Sequence, residues 1–71
     1  MNSYFVCYGS NLRETRLTIS GLQRRFPRLT FYEQSSPRPF MVCVRGLTAA
    51  HSLEAIYSAV HGVRAAQLRS A

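Results

Sequence analysis

The chain has 71 residues, so it forms one domain at most and buries only about 60% of the surface that it exposes when unfolded. Nine basic residues, every one an arginine, outnumber three acidic residues and give a formal net charge of +6. This charge indicates an anionic partner, nucleic acid or an acidic protein, and the lack of any apolar run near the roughly 20 residues that span a bilayer excludes a transmembrane role. The codon usage of a GC-rich gene also explains the choice of arginine, but not the net charge.

Two cysteines, Cys7 and Cys43, each lie within an apolar run (YFVCY and FMVCV). A free thiol in such a run behaves as a small hydrophobe, so we interpret both as reduced core residues rather than as a disulfide or redox pair. The N-terminal run also lacks the charged segment of a secretory signal. We therefore expect a cytoplasmic protein.

The first predicted element is a strand over residues 3–8 (SYFVCY), whose aromatic and β-branched residues are typical of a strand covered on both faces. Gly9 and Ser10 end this strand. Asn11 followed three positions later by Glu14 then has the spacing of a helix N-cap with a capping box.

A helix is predicted next, because apolar or small residues recur at steps of three and four until Pro27 stops the pattern. The alternation of TRLTIS would also suit a strand, so a hairpin with residues 13–20 as its second strand remains the alternative to the favoured helix. The residues that define the predicted helical stripe are Leu12, Thr15, Ile19, Leu22 and Phe26.

Residues 29–32 (LTFY) predict a short strand, and the turn-rich EQSSPRP then leads to a further strand over residues 40–44. A second helix follows, with Thr48 or Ser52 as its cap. Residues 64–71 either prolong this helix or fray. The stripe of the second helix consists of Leu53, Ile56, Val60 and Val63.

The predicted fold class is α+β. The order β-α-β-β-α gives a small sandwich, a three-stranded antiparallel sheet with two helices on one face, similar to a ferredoxin-like fold without its last strand. We expect one domain over residues 1–63. Because the first strand is then an apolar open edge and the core is small, we also expect a homodimer.

The stretch YFVCYGSNL resembles the first strand and loop of the γ-glutamylcyclotransferase-like family over nine of the 71 residues. The resemblance implies that Tyr8, Gly9, Ser10 and Asn11 form a loop that binds the substrate carboxylate. That family has a barrel about twice this length with a downstream catalytic glutamate, and this chain departs from both features. We therefore interpret YGSN as a tight turn followed by a helix cap.

No other pattern points to catalysis or to a metal, so we expect neither an enzyme nor a cofactor, and no small-molecule substrate. His51 and His61 are ten residues apart, which does not match the spacing of a chelating pair on a helix. His61, before Gly62, is interpreted as a favourable charge at the end of the second helix. No aspartate is present to orient a catalytic base beside Cys7.

The open face of the sheet is the first candidate interface. Aromatic residues on the first and third strands suit base stacking, as in RRM domains, but RPFMVCVRG lacks the basic-Gly-aromatic-Gly pattern of that family. If Val6 and Val42 face the helices, Tyr4, Tyr8 and Phe40 belong to the core, and the open face suits burial against another protein. The residues then predicted for this interface are Phe5, Cys7, Met41, Cys43 and Arg45.

The arginines of the first helix and its exit form the second candidate surface, for nucleic acid or another anion: Arg13, Arg16, Arg24, Arg25 and Arg28. Our leading hypothesis is a small non-enzymatic regulatory protein that binds nucleic acid electrostatically through these arginines, as a dimer. The alternative is a compact inhibitor or accessory protein, of the kind encoded by mobile elements, that docks on a larger host protein through its sheet face or edge strand. A purely structural subunit is a third possibility.

Overall fold

A computed structural model describes residues 2–48 and 52–70 of the chain. The predicted order β-α-β-β-α is confirmed, and residues 13–20 are helical, so the hairpin alternative is wrong. The elements are β1 (Ser3–Tyr8), α1 (Leu12–Arg25), β2 (Thr30–Gln34), β3 (Met41–Arg45) and α2 (Leu53–Ser70).

The sheet of the described residues has the order β1-β3-β2, and both pairings are antiparallel. Both helices pack on one face of this sheet, as predicted for the α+β sandwich, and β1 is an edge strand. The core lies between the sheet and the helices. Its buried members are Val6, Leu22, Leu29, Phe31, Val42, Val44, Ile56, Val60 and Val63.

The YGSN stretch forms the junction between β1 and α1. Asn11 caps the helix, because its Oδ1 accepts from the N–H of Glu14 at 2.8 Å. The Glu14 carboxylate in turn accepts from the hydroxyl and the N–H of Ser10, at 2.6 and 3.2 Å. A side chain at Gly9 would place its Cβ 2.1 Å from Oγ1 of Thr15. The motif thus has a complete structural role as a tight turn and cap.

The buried side of α1 is more polar than its stripe predicts. Thr15 and Thr18 are fully buried, and each hydroxyl donates to the carbonyl four residues earlier, which satisfies it. Leu12, expected in the stripe, is 41% exposed because it lies at the first turn, beyond the area that the sheet covers. Gly21 allows α1 and α2 to approach closely, since a Cβ there would lie 2.8 Å from Val63.

Helix α2 begins at Leu53, and Ser52 is its cap, with its hydroxyl 3.4 Å from the N–H of Ala55. The helix continues to Ser70, so residues 64–70 prolong it, and the placement of His61 at its end is wrong. Gly62 does not stop the helix because the apolar pattern continues through Val63. His51 lies outside the described residues. No helix within residues 2–48 and 52–70 is long and apolar enough to cross a membrane.

Candidate functional site

A β-bulge in β1 decides which side chains reach the open face of the sheet. Phe5 is opposite Cys43 and Cys7 is opposite Val42, which leaves Val6 without a partner on β3. Directly opposed residues share a face, and a bulge turns two successive residues toward the same side. Val6 and Cys7 therefore both pack toward the helices. The prediction that Cys7 lies on the open face is wrong for this reason.

The same bulge moves Tyr8 out of the predicted core. Tyr8 is opposite Met41 and lies on the open face, 44% exposed. Its ring is 4.7 Å from the ring of Phe5, centroid to centroid, which an unbroken alternation along β1 would not allow. Tyr4 faces the helices as expected but is 37% exposed at the sheet edge. Phe40 is half-buried, with a φ of 64° just before β3.

Four of the five predicted interface residues thus share the open face. Cys43 is 4% exposed there, because Phe5 and Tyr32 lie opposite it on the two neighbouring strands. Met41 is half-buried and Arg45 is exposed. We call this surface the open sheet face; it comprises Ser3, Phe5, Tyr8, Thr30, Tyr32, Gln34, Met41, Cys43 and Arg45.

Two arginines cover tyrosine rings on this face. The guanidinium carbon of Arg38, in the β2–β3 hairpin, is 5.7 Å from the centroid of Tyr8, and that of Arg45 is 5.5 Å from Tyr32. Tyr32 and Arg38 were not among the predicted site residues. The register of β2 against β3, which the sequence does not specify, brings Tyr32 beside Cys43.

No carboxylate lies on the open sheet face. Glu14 and Glu54 belong to the helices, and Glu33 is opposite Val42, on the helix-packed side of β2. These three residues are the complete set of acidic side chains in the chain. The charge of the open sheet face is therefore purely positive.

The arginines predicted from the first helix are all exposed, and together we call them the arginine surface: Arg13, Arg16, Arg24, Arg25 and Arg28. Arg13, Arg24 and Arg25 line a groove of about 510 Å³ between α1 and α2. Arg16 and Arg24 line a second groove, of about 670 Å³, beside β2. Arg24 borders both grooves, and so joins the two sides of the surface.

No ion pair neutralises the arginine surface in the part of the chain that the structure describes. The one ion pair among residues 2–48 and 52–70 joins Arg64 to Glu14 at 3.9 Å, and it involves none of the five arginines. The hydrogen bond from the Ser10 hydroxyl lowers the pKa of Glu14, and the nearby Arg64 adds to this shift. Arg25 donates to the carbonyl of Gly21, in its own helix. Five guanidinium groups remain available to an anion.

The two surfaces meet at one end of the sheet. Arg28 follows α1, and two residues later Thr30 is opposite Arg45. The carbonyl of Arg28 also lies 3.9 Å from the position that a Cβ on Gly46 would take. A basic path therefore continues from the end of α1 to the open sheet face.

Helix α2 partly covers the edge of β1 that the sequence predicts to be open. The hydroxyl of Tyr57 donates to the carbonyl of Phe5 at 3.4 Å, and Arg64 donates to the carbonyl of Tyr8. These bonds occupy acceptors that a pairing strand would use.

The two cysteines lie on opposite faces of the sheet, so they cannot form a disulfide with each other. Burial raises the pKa of both thiols. For Cys7 the charge of Arg64 opposes this shift without reversing it. The described residues contain no group of three His, Cys, Asp or Glu side chains placed to hold a metal ion.

No model of a known protein family matches the chain, and neither a curated protein nor a solved structure matches it.

Proposed function

We propose that this chain is a small, non-enzymatic, basic regulatory protein that binds nucleic acid through the arginine surface. The observation that carries the proposal is that all five arginines are exposed and that none of them forms an ion pair among the described residues, since the nearby Glu14 pairs with Arg64. Arginines in such a position release the counterions of a phosphate backbone, which favours binding without sequence preference. An acidic protein is the other partner that this charge suits.

The length of the arginine surface supports a footprint of several phosphates. Arg13 and Arg24 are eleven residues apart on one helix, which corresponds to about 16 Å at 1.5 Å per residue. This distance equals about five base steps at 3.4 Å each. Arg16 lies within this length and Arg25 is one residue beyond it, so several phosphates can be contacted at once.

The chemistry of the thiols supports the non-enzymatic part of the proposal. Burial raises the pKa of Cys7 and Cys43, and so keeps both thiols protonated and weakly nucleophilic at neutral pH. Their positions on opposite faces of the sheet suit a reducing compartment, and we propose the cytoplasm.

The test is the salt dependence of binding to a fluorescent 20-base-pair duplex between about 50 and 200 mM salt. Replacing Arg13, Arg16 and Arg24 together by alanine removes three phosphate contacts, and should flatten the slope of log affinity against log salt by about 2 to 3. The matched lysine variant of the same positions keeps the charges and should keep the slope. An alanine variant with an unchanged affinity and slope contradicts the proposal.

A second candidate function is docking of a protein, including a second copy, along β1. Four aromatic side chains there and on α2 are between 37% and 44% exposed: Tyr4, Phe5, Tyr8 and Tyr57. Exposed apolar side chains that lie together often mark an interface. Light scattering at micromolar concentration should then give a mass near twice 8.0 kDa, whereas a monomer mass contradicts a homodimer.

A further inference from the structure

We infer that the open sheet face binds the unpaired bases of single-stranded nucleic acid while the arginine surface holds its backbone. This inference rests on the proposed function and names the class of nucleic acid. Phe5 and Tyr8 are 40% and 44% exposed on β1, and Tyr32 is half-buried on β2. Aromatic rings presented on a sheet are platforms on which bases stack.

The arrangement of the rings suits more than one base. Phe5 and Tyr32 lie on either side of Cys43, two strand spacings apart, which is about 10 Å. Tyr8 extends the β1 side, with its ring 4.7 Å from that of Phe5. Bases can therefore stack on the β1 rings and on Tyr32 at the same time, and each stacked base raises affinity by about 5- to 150-fold.

The guanidinium groups over Tyr8 and Tyr32 do not prevent this stacking. A cation above an exposed ring is worth only about two- to fivefold in an equilibrium constant, less than a stacked base gains. Arg38 and Arg45 are both exposed, so each can move aside or lie flat against the incoming base. Either movement leaves a positive charge beside the backbone of the bound strand.

Charge and continuity favour a nucleic acid over a protein as the occupant of this face. The face carries arginine and no carboxylate, which complements phosphate. The arginine surface lies on the helix side of the sheet, and Arg28 and Arg45 link the two sides at one end, so a strand that passes around this end can contact both surfaces. The bases of a duplex are stacked and paired inside the helix, so only a single strand can use the rings.

The experiment compares three probes with the intact protein by fluorescence anisotropy at one salt concentration. The probes are a 12-nucleotide single strand, an abasic sugar-phosphate strand of the same length, and a 12-base-pair duplex. The abasic strand retains the phosphates and lacks the stacking surfaces. We expect the base-bearing strand to bind at least about tenfold tighter than the abasic strand.

The combined variant Phe5→Leu and Tyr32→Leu keeps apolar side chains and removes two rings. It should reduce the preference for the base-bearing strand to what Tyr8 alone supports, and keep its affinity for the abasic strand. Tyr4→Leu is the matched control, because it removes a ring of similar exposure, 37%, that lies on the helix-packed side of β1 and outside the open sheet face. This control should keep the preference. Circular dichroism of both variants verifies that they remain folded.

The outcomes separate the inference from the proposed function. Equal affinity of the wild-type protein for base-bearing and abasic strands overturns the inference and leaves the proposed function intact. A preference that is undiminished in the folded Phe5→Leu and Tyr32→Leu variant also overturns it. Binding to none of the probes overturns both. A dimer mass together with equal affinities assigns the open sheet face to a second copy of the chain, and overturns the inference.

Discussion

The two faces of the sheet are formed by the same three strands but differ in burial and in side-chain composition. On β3, Val42 and Val44 turn toward the helices and are fully buried, whereas Cys43 and Arg45 turn toward the open sheet face. The helix-packed face is closed by aliphatic side chains from both helices. The open face carries aromatic rings, arginine and no carboxylate. The first face stabilises the fold, and the second retains apolar surface that the core of the single chain does not use.

The largest expected contrast between the faces is in stability. Ile56→Ala removes a fully buried side chain from the helix-packed side and should lower the free energy of unfolding by about 2 to 5 kcal/mol. Phe5→Leu, on the open sheet face, should cost about 1 kcal/mol or less, mainly through its contact with Tyr8. Urea unfolding followed by circular dichroism measures both. Equal losses would show that the open face is as important to the fold as the closed one.

A smaller difference in stability is expected between alanine substitutions at two glycines of the helices, Gly21 and Gly62. Gly21→Ala places a Cβ 2.8 Å from Val63 and should destabilise the fold by about 1 to 3 kcal/mol through overpacking. At Gly62 the added Cβ meets only the flexible end of Arg25, at 3.7 Å. Gly62→Ala should therefore stabilise the helix by up to about 1 kcal/mol. Thermal melts of the pair should shift in opposite directions, and shifts of the same sign would contradict the close helix contact.

The spacing of residues along the chain was sufficient to predict the element order, the Asn11 cap and the buried stripe of α2, because these features depend on local sequence. The pairing of β1 with β3 agrees with the ferredoxin-like arrangement that the element order predicts. The spacing left open whether residues 64–71 prolong the second helix or fray. The helix continues to Ser70, and packing of Val63 against α1 outweighs the helix cost of Gly62, about 1 kcal/mol.

The candidate site was predicted less completely, because the face on which a strand residue lies depends on how the strands pair. Strict alternation along SYFVCY put Cys7 on the open face and Tyr8 in the core. One unpaired residue, Val6, reverses both placements, and no residue in the run marks a bulge. Tyr32 was missed for a related reason, since only the register against β3 fixes its side of the sheet. The exposed arginines were predictable because charged side chains at these positions avoid burial.

The smallest expected effect is on the pH dependence of stability. It should arise from Glu14 at the start of α1, and not from the open sheet face. The Ser10 hydroxyl and Arg64 hold the pKa of Glu14 below its ordinary value of 4.5, so ionised Glu14 favours the folded state. This contribution is complete above pH 4.5 and is lost as the pH falls through the lower, folded pKa. Glu14→Gln should therefore reduce the loss of thermal stability between about pH 5 and 3. Parallel stability curves for wild type and variant would contradict this role.

The most direct test of two distinct binding elements is an NMR titration with a base-bearing and an abasic strand. We predict that the ring resonances of Phe5, Tyr8 and Tyr32 shift only with the base-bearing strand. Resonances of the side-chain N–H groups of the arginine surface should shift with both strands. Ring resonances that stay unchanged while the base-bearing strand saturates the protein would contradict base stacking on the open sheet face.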